Sequence, residues 1–146
     1  MRSAENPSAI LQPISNTLLD SALYYYKIIG YDNSEKIIQR AVEISPKMRF
    51  RGDQVLAKMY FEQGNILFKI GNYEKALEKY SFAQQLDPEL GNLLNVKRKD
   101  LASGFLNDAS KATDIESIYL VIESLNNAMK MEPSLEKEMK NIVKEL

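Results

Sequence analysis

Apolar residues in this chain recur at steps of three and four in seven segments, and no segment alternates convincingly with the period of two that a strand would show. Ile14, Leu18, Leu19, Leu23, Tyr26 and Ile29 form one such stripe and predict a helix over 14–29. Gly30-Tyr31-Asp32-Asn33 reads as a turn, after which a short helix starts at Asn33 or Ser34 and ends near Ile44. A longer helix follows from Pro46 to about Ile70, with Val55, Met59, Ile66 and Ile70 in its stripe and Leu56, Tyr60 and Leu67 beside it. Gly71-Asn72 closes it and opens the next, Tyr73 to Leu86. The fifth helix begins at Asp87-Pro88-Glu89, runs to about Ala109 or Lys111, and places Leu90, Leu94, Leu101 and Phe105 at helical steps. Thr113-Asp114-Ile115-Glu116 fits a capping box that opens a sixth helix, to Met131. Pro133-Ser134 starts the last one, whose Leu135, Met139, Ile142, Val143 and Leu146 make a narrow stripe with Glu136 placed to pair with Lys140. One apolar stripe against charged neighbours is the pattern of a terminal cap.

Three of these helices end alike. Ala41-Val42-Glu43-Ile44-Ser45-Pro46, Ala83-Gln84-Gln85-Leu86-Asp87-Pro88 and Ala128-Met129-Lys130-Met131-Glu132-Pro133 share the pattern Ala-x-x-aliphatic-(Ser/Asp/Glu)-Pro, and the prolines recur at positions 46, 88 and 133. Spacings of that size belong to helical-repeat arrays, in which each unit buries its apolar face on the next. The reading is an all-α chain with a flexible lead-in over 1–13 and a single repeat domain over 14–146.

Composition narrows the chemistry. With 19 basic and 20 acidic residues the net charge is −1, which argues against a nucleic-acid interface. The basic clusters Lys47-Arg49-Arg51 and Lys97-Arg98-Lys99 read as solvated helix faces, and Glu74 and Glu78, interleaved with Lys75 and Lys79, as solubilising charge. Cys and His are both absent. No disulfide, thiolate nucleophile, imidazole base or ordinary zinc site can be built without them. No catalytic residue, metal site or cofactor is therefore predicted, and the chain is read as a non-enzyme. No apolar run is long enough to span a membrane, and the expected location is the cytoplasm.

Residues 57–90 carry a more specific signal: Tyr60, Gly64, Leu67, Gly71-Asn72-Tyr73, Ala76, Tyr80, Ala83 and Pro88. This spacing resembles a tetratricopeptide repeat (TPR), almost position for position. Gly64, Ala76 and Ala83 are small where two antiparallel helices approach, and the large residues fill the gaps beside them. The first repeat is degenerate, keeping Gly30-Tyr31, Ile38, Ala41 and Pro46, with Ser34 in place of the first alanine. The third keeps Val121, Leu125, Ala128 and Pro133 without a glycine at its turn. The resemblance implies a right-handed superhelical array of about three antiparallel helix pairs with a C-terminal capping helix.

It also implies a function: a protein-interaction scaffold, of adaptor or co-chaperone type, that receives a partner peptide or helix in a concave groove. By pattern, the groove-facing residues of the best repeat are Lys58, Phe61, Asn65, Phe68 and Lys69, unless Phe61 and Phe68 pack instead on neighbouring helices. Some family members hold the acidic C-terminus of heat-shock chaperones with a clamp of Lys, Asn and Arg. Asn65 matches one clamp asparagine, but Phe61 stands where a lysine would, Tyr24 takes the equivalent place of Asn65 in the first repeat, and the third repeat lacks a clear Lys and Arg pair. The clamp is incomplete. Tyr24-Tyr25-Tyr26 sweeps roughly 200° of a helix, so at least one ring reaches the surface as a second candidate contact. The alternative function is a structural or self-assembling subunit, its groove filled by its own N-terminal segment or by a second copy as a homodimer.

Overall fold

The computed structural model describes residues 7–145. Among these the chain forms seven α-helices and no strand: α1 (Pro7–Ile29), α2 (Tyr31–Ile44), α3 (Arg49–Lys69), α4 (Tyr73–Leu86), α5 (Gly91–Lys111), α6 (Ile115–Met131) and α7 (Ser134–Glu145). The protein is the all-α array of helix pairs that the repeat spacing predicts. α1 begins inside the stretch read as a lead-in and runs through Pro13, close to its start, where few intrahelical bonds precede the missing N–H. Residues 1–6 of the lead-in, and Leu146 of the last stripe, lie outside the described residues.

The three proline junctions are the same structure. Ser45, Asp87 and Glu132 have φ/ψ of −136°/93°, −137°/92° and −138°/87°, the extended conformation forced on a residue before proline. Each N–H donates back to the alanine four residues earlier, at 3.0, 2.9 and 2.9 Å, and those alanines are fully buried. Each carbonyl then accepts from the residue three on (Met48, Leu90 and Leu135). After Pro46 and Pro88 the chain makes one 3₁₀ turn before α3 and α5 begin, so those helices start just beyond the place that the proline signal alone predicts.

Turns inside the pairs follow the glycines. Gly30 and Gly71 have φ of 86° and 82°, in the region that only glycine adopts freely. At Gly71 the Asn72 N–H reaches the Leu67 carbonyl and the Gly71 N–H that of Phe68, a Schellman closure. The third pair turns through Ala112 instead. Its cap is Asp114, one residue beyond the expected Thr113: the carboxylate accepts from the Ser117 N–H and hydroxyl, both at 2.7 Å. These bonds, the backbone one foremost, hold the Asp114 carboxyl below the usual range.

Two compact units divide between Met59 and Tyr60. In the first, Leu19, Ala22 and Tyr26 of α1 pack with Ile38 and Ala41 of α2 and with Met48, Val55 and Met59. A Cβ on Gly52 would stand 2.9 Å from a methyl of Val42, so α2 and α3 touch through glycine. Buried Ser15 donates to the Ala41 carbonyl at 2.7 Å. Arg51, expected on a solvated face, instead hydrogen-bonds Asn16 and pairs with Asp20 of α1.

The second unit is built on Ala76, Leu77 and Tyr80 of α4, Leu94, Leu101, Ala102 and Phe105 of α5, Ala128 of α6, and Leu135 and Met139 of α7. α7 behaves as a cap, with Leu135 and Met139 buried, the Glu136–Lys140 pair formed at 2.9 Å, and Val143 exposed. Two charges read as solvated are structural. Glu74 accepts from Asn127 of α6 at 3.0 Å, and Arg98 is largely buried and pairs with Glu132 at 3.3 Å. Ile66 and Ile70, placed in the α3 core stripe by periodicity, are exposed. The tyrosines of α4 meet the neighbouring face of α3 instead.

Candidate functional site

That face is where the second unit concentrates its aromatic residues. Tyr80 lies across Gly64: a Cβ there would come within 2.6 Å of the ring. The Tyr80 hydroxyl donates to Asn65 Oδ1 at 2.7 Å. Burial, and then the nearby charge of Asp100, pushes the Tyr80 hydroxyl up to about 12. Tyr73, at the start of α4, lies across Gly104 of α5, again 2.6 Å from where a Cβ would stand. One short helix thus lays a tyrosine on a glycine of the helix before it and another on a glycine of the helix after it. Both contacts lock α4 at a spacing that any larger residue would widen.

Phe61 and Phe68 of α3 are drawn into this arrangement. Phe61 packs on Tyr80 with ring centroids 5.4 Å apart. Phe68 packs edge-on to Tyr73 at 5.4 Å, and Tyr73 continues to Phe105 at 5.8 Å. Both phenylalanines are half-buried and contact the core, so one side of each ring packs on α4 while the other stays accessible. Asn65 between them is half-buried, with its amide oxygen held by Tyr80 and two N–H donors on the same group. Lys69 is exposed. Lys58, also exposed, falls in the first unit.

Lys97 belongs to a basic cluster that the sequence assigns to solvent, yet its ammonium lies 5.6 Å from the Phe68 ring centroid, a cation–π contact. It joins Asn65, Phe68 and Lys69 as a residue of the candidate face. Nothing in the sequence sets Lys97 apart from its basic neighbours Arg98 and Lys99. Gly104 does carry a signal, since it follows Gly64 at close to the spacing of the prolines.

The tyrosine run divides as helical geometry requires. Tyr24 is 76% exposed, Tyr25 46% and Tyr26 6%. Tyr26 is core and leaves the candidate contact; Tyr24 and Tyr25 stack edge-to-face at 4.8 Å on the outside of α1.

Comparison with known proteins bears on α3 and α4 above all. Residues 57–90 match the family model described as tetratricopeptide repeat. A protein of Schizosaccharomyces pombe (strain 972 / ATCC 24843) described as "DnaJ homolog subfamily C member 7 homolog" is 39% identical over 87 residues, covering 51% of this chain and 17% of that protein. The chain therefore spans about a sixth of the relative's length. No solved structure matches the chain.

Proposed function

From a chain that carries a tetratricopeptide repeat at residues 57–90, we propose a protein-interaction scaffold that holds a partner peptide on the face of Asn65, Phe68, Lys69 and Lys97. Phe61 supports that face by packing on Tyr80. The observation that carries the reading is Lys97 over the Phe68 ring. An aromatic surface flanked by ammonium groups, with amide donors beside it, suits an extended segment bearing an aliphatic residue and a carboxylate. Because Tyr80 and Tyr73 already lock the helices, little ordering remains to oppose binding.

Similarity to a DnaJ homolog is the observation that favours co-chaperone work for this adaptor. Phe61 in a lysine's place keeps the partner from being a simple copy of the acidic-tail ligand. The test is fluorescence polarisation with labelled peptides of three kinds: acidic-aliphatic, basic-aliphatic and scrambled polar. Acidic-aliphatic peptides should bind, and Lys69→Glu/Lys97→Glu should weaken them at least about tenfold, the effect of losing two charge contacts of modest strength. Equal binding of basic peptides, or no loss in the double variant, would remove the proposed site.

A further inference from the structure

α1 is apolar on two opposite faces, and among the described residues only one of them is buried. Ser15, Leu19, Ala22 and Tyr26 are buried. On the other side Ile10, Ile14, Thr17, Ser21, Tyr24 and Ile28 succeed one another at alternating steps of four and three, the spacing of a helix–helix seam. The four large members are 52%, 46%, 76% and 77% exposed, with Leu11 and Tyr25 exposed beside them. No charged residue stands in the seam.

The two polar members are already satisfied. Thr17 Oγ1 donates to the Pro13 carbonyl at 3.0 Å and Ser21 Oγ to the Thr17 carbonyl at 2.8 Å. A hydroxyl that bonds its own helix can be covered without losing a partner.

The step pattern reads the same from either end. Turned end for end about a point midway between Thr17 and Ser21, the seam places Ile10 opposite Ile28, Ile14 opposite Tyr24, and Thr17 opposite Ser21. Small residues meet at the centre, where two helices come closest, and large ones meet toward the ends. We propose that this outer face of α1 packs antiparallel on the same face of a second copy, so that the chain is a two-fold symmetric dimer. Such an interface is isologous, each residue serving both sides. The exposed side chains offer roughly 600 Å² of apolar surface per copy, taking about 150–250 Å² for an aromatic ring and somewhat less for an aliphatic chain. That reaches the upper end of about 300–600 Å² for the largest patch on a monomer. With a polar rim it approaches the ~800 Å² per partner of a stable complex.

The mass of the chain in solution, measured by light scattering at about 100 µM, should be twice 16.7 kDa. Thr17→Arg/Ser21→Arg puts two guanidinium groups from each copy beside the two-fold axis and should return the monomer mass with an unchanged circular dichroism spectrum, since neither residue is core. Register is tested by disulfides, because the chain has no cysteine of its own. In Ile14→Cys/Tyr24→Cys the two thiols are about 15 Å apart along one helix, beyond the ~7 Å reach of a bridge. Oxidation should therefore join two copies, and should do so far faster than in Ile14→Cys/Ile28→Cys, which is one turn out of register. A monomeric wild type, a dimer that survives the double arginine, or equal cross-linking of the two cysteine pairs would each overturn the proposal. A monomer that binds a foreign helix through this seam would do so as well.

Discussion

Gly64→Ala tests whether the Tyr80 contact sets the spacing of α3 and α4. In the interior of a helix, alanine is favoured over glycine by about 1 kcal/mol, so propensity alone makes this change stabilising. The structure opposes that. The new Cβ would stand 2.6, 2.7 and 3.1 Å from three ring atoms of Tyr80, a side chain only 2% exposed and tethered through its hydroxyl to Asn65. Overpacking of this kind costs about 1–3 kcal/mol, and moving the ring away sacrifices a hydrogen bond that contributes about 0.5–1.5 kcal/mol. Net destabilisation of about 1–3 kcal/mol follows from these terms together. Urea unfolding followed by far-ultraviolet circular dichroism measures it. The decisive comparison repeats the change in a Tyr80→Val background, where the side chain ends before any of the three clashing atoms. There the same substitution should become neutral or stabilising, a reversal of sign visible in a double-mutant cycle. If Gly64→Ala has the same sign in both backgrounds, the ring does not set the helix spacing and the account of the site collapses.

Gly104→Ala should be destabilising for the same reason through Tyr73, and Tyr73→Val should relieve it in the same unfolding assay. The Tyr80 hydroxyl, neutral up to about 12 against an ordinary 10, stabilises the fold fully below pH 10, and that contribution is lost as pH rises toward 12. Tyr80→Phe should flatten the alkaline limb of the stability curve, and absorbance titration should lose its latest-ionising tyrosine. Asp114 acts in the opposite direction: its lowered carboxyl contributes above the ordinary aspartate range, and the contribution disappears as pH falls through its folded value. Asp114→Asn keeps a capping oxygen and should remove that acid-dependent part from urea midpoints measured across pH. Glu132→Ala removes the ion pair of the largely buried Arg98, leaving it only the Asn95 amide oxygen, and should lower stability by about 1–3 kcal/mol, whereas Glu136→Ala on the exposed Glu136–Lys140 pair should change it by less than about 1 kcal/mol.

What the sequence discloses is local. A proline fixes its own φ and constrains the residue before it, so three Ala-x-x-aliphatic-x-Pro endings can be read as three equivalent junctions. The Gly64, Ala76 and Ala83 spacing likewise marks a close helix pair from nearby residues. Contacts between distant segments are not legible in the same way. Tyr73 meets Gly104 of the next helix pair, and nothing near either residue announces the other. Lys97 and Arg98 look alike in a basic run, yet one lies over Phe68 and its neighbour is tied to Glu132. Periodicity also fails where a helix is apolar on more than one side. In α1 and α3 it counts Ile14, Ile66 and Ile70 with the core because it cannot tell which apolar face a partner helix will take, and all three are exposed.

The near-identity of the Ser45, Asp87 and Glu132 backbones makes the junction a universal coupling. A segment cut before Pro46 and again before Pro88 begins and ends on the same backbone conformation, so a tandem copy of that segment meets matching ends without any new connecting loop. Serine, aspartate and glutamate already interchange at the coupling, which means its shape is set by the proline and the buried alanine and not by the polar side chain. The junction itself therefore sets no limit on duplication of the segment, and the surface chemistry of an added copy is free to vary.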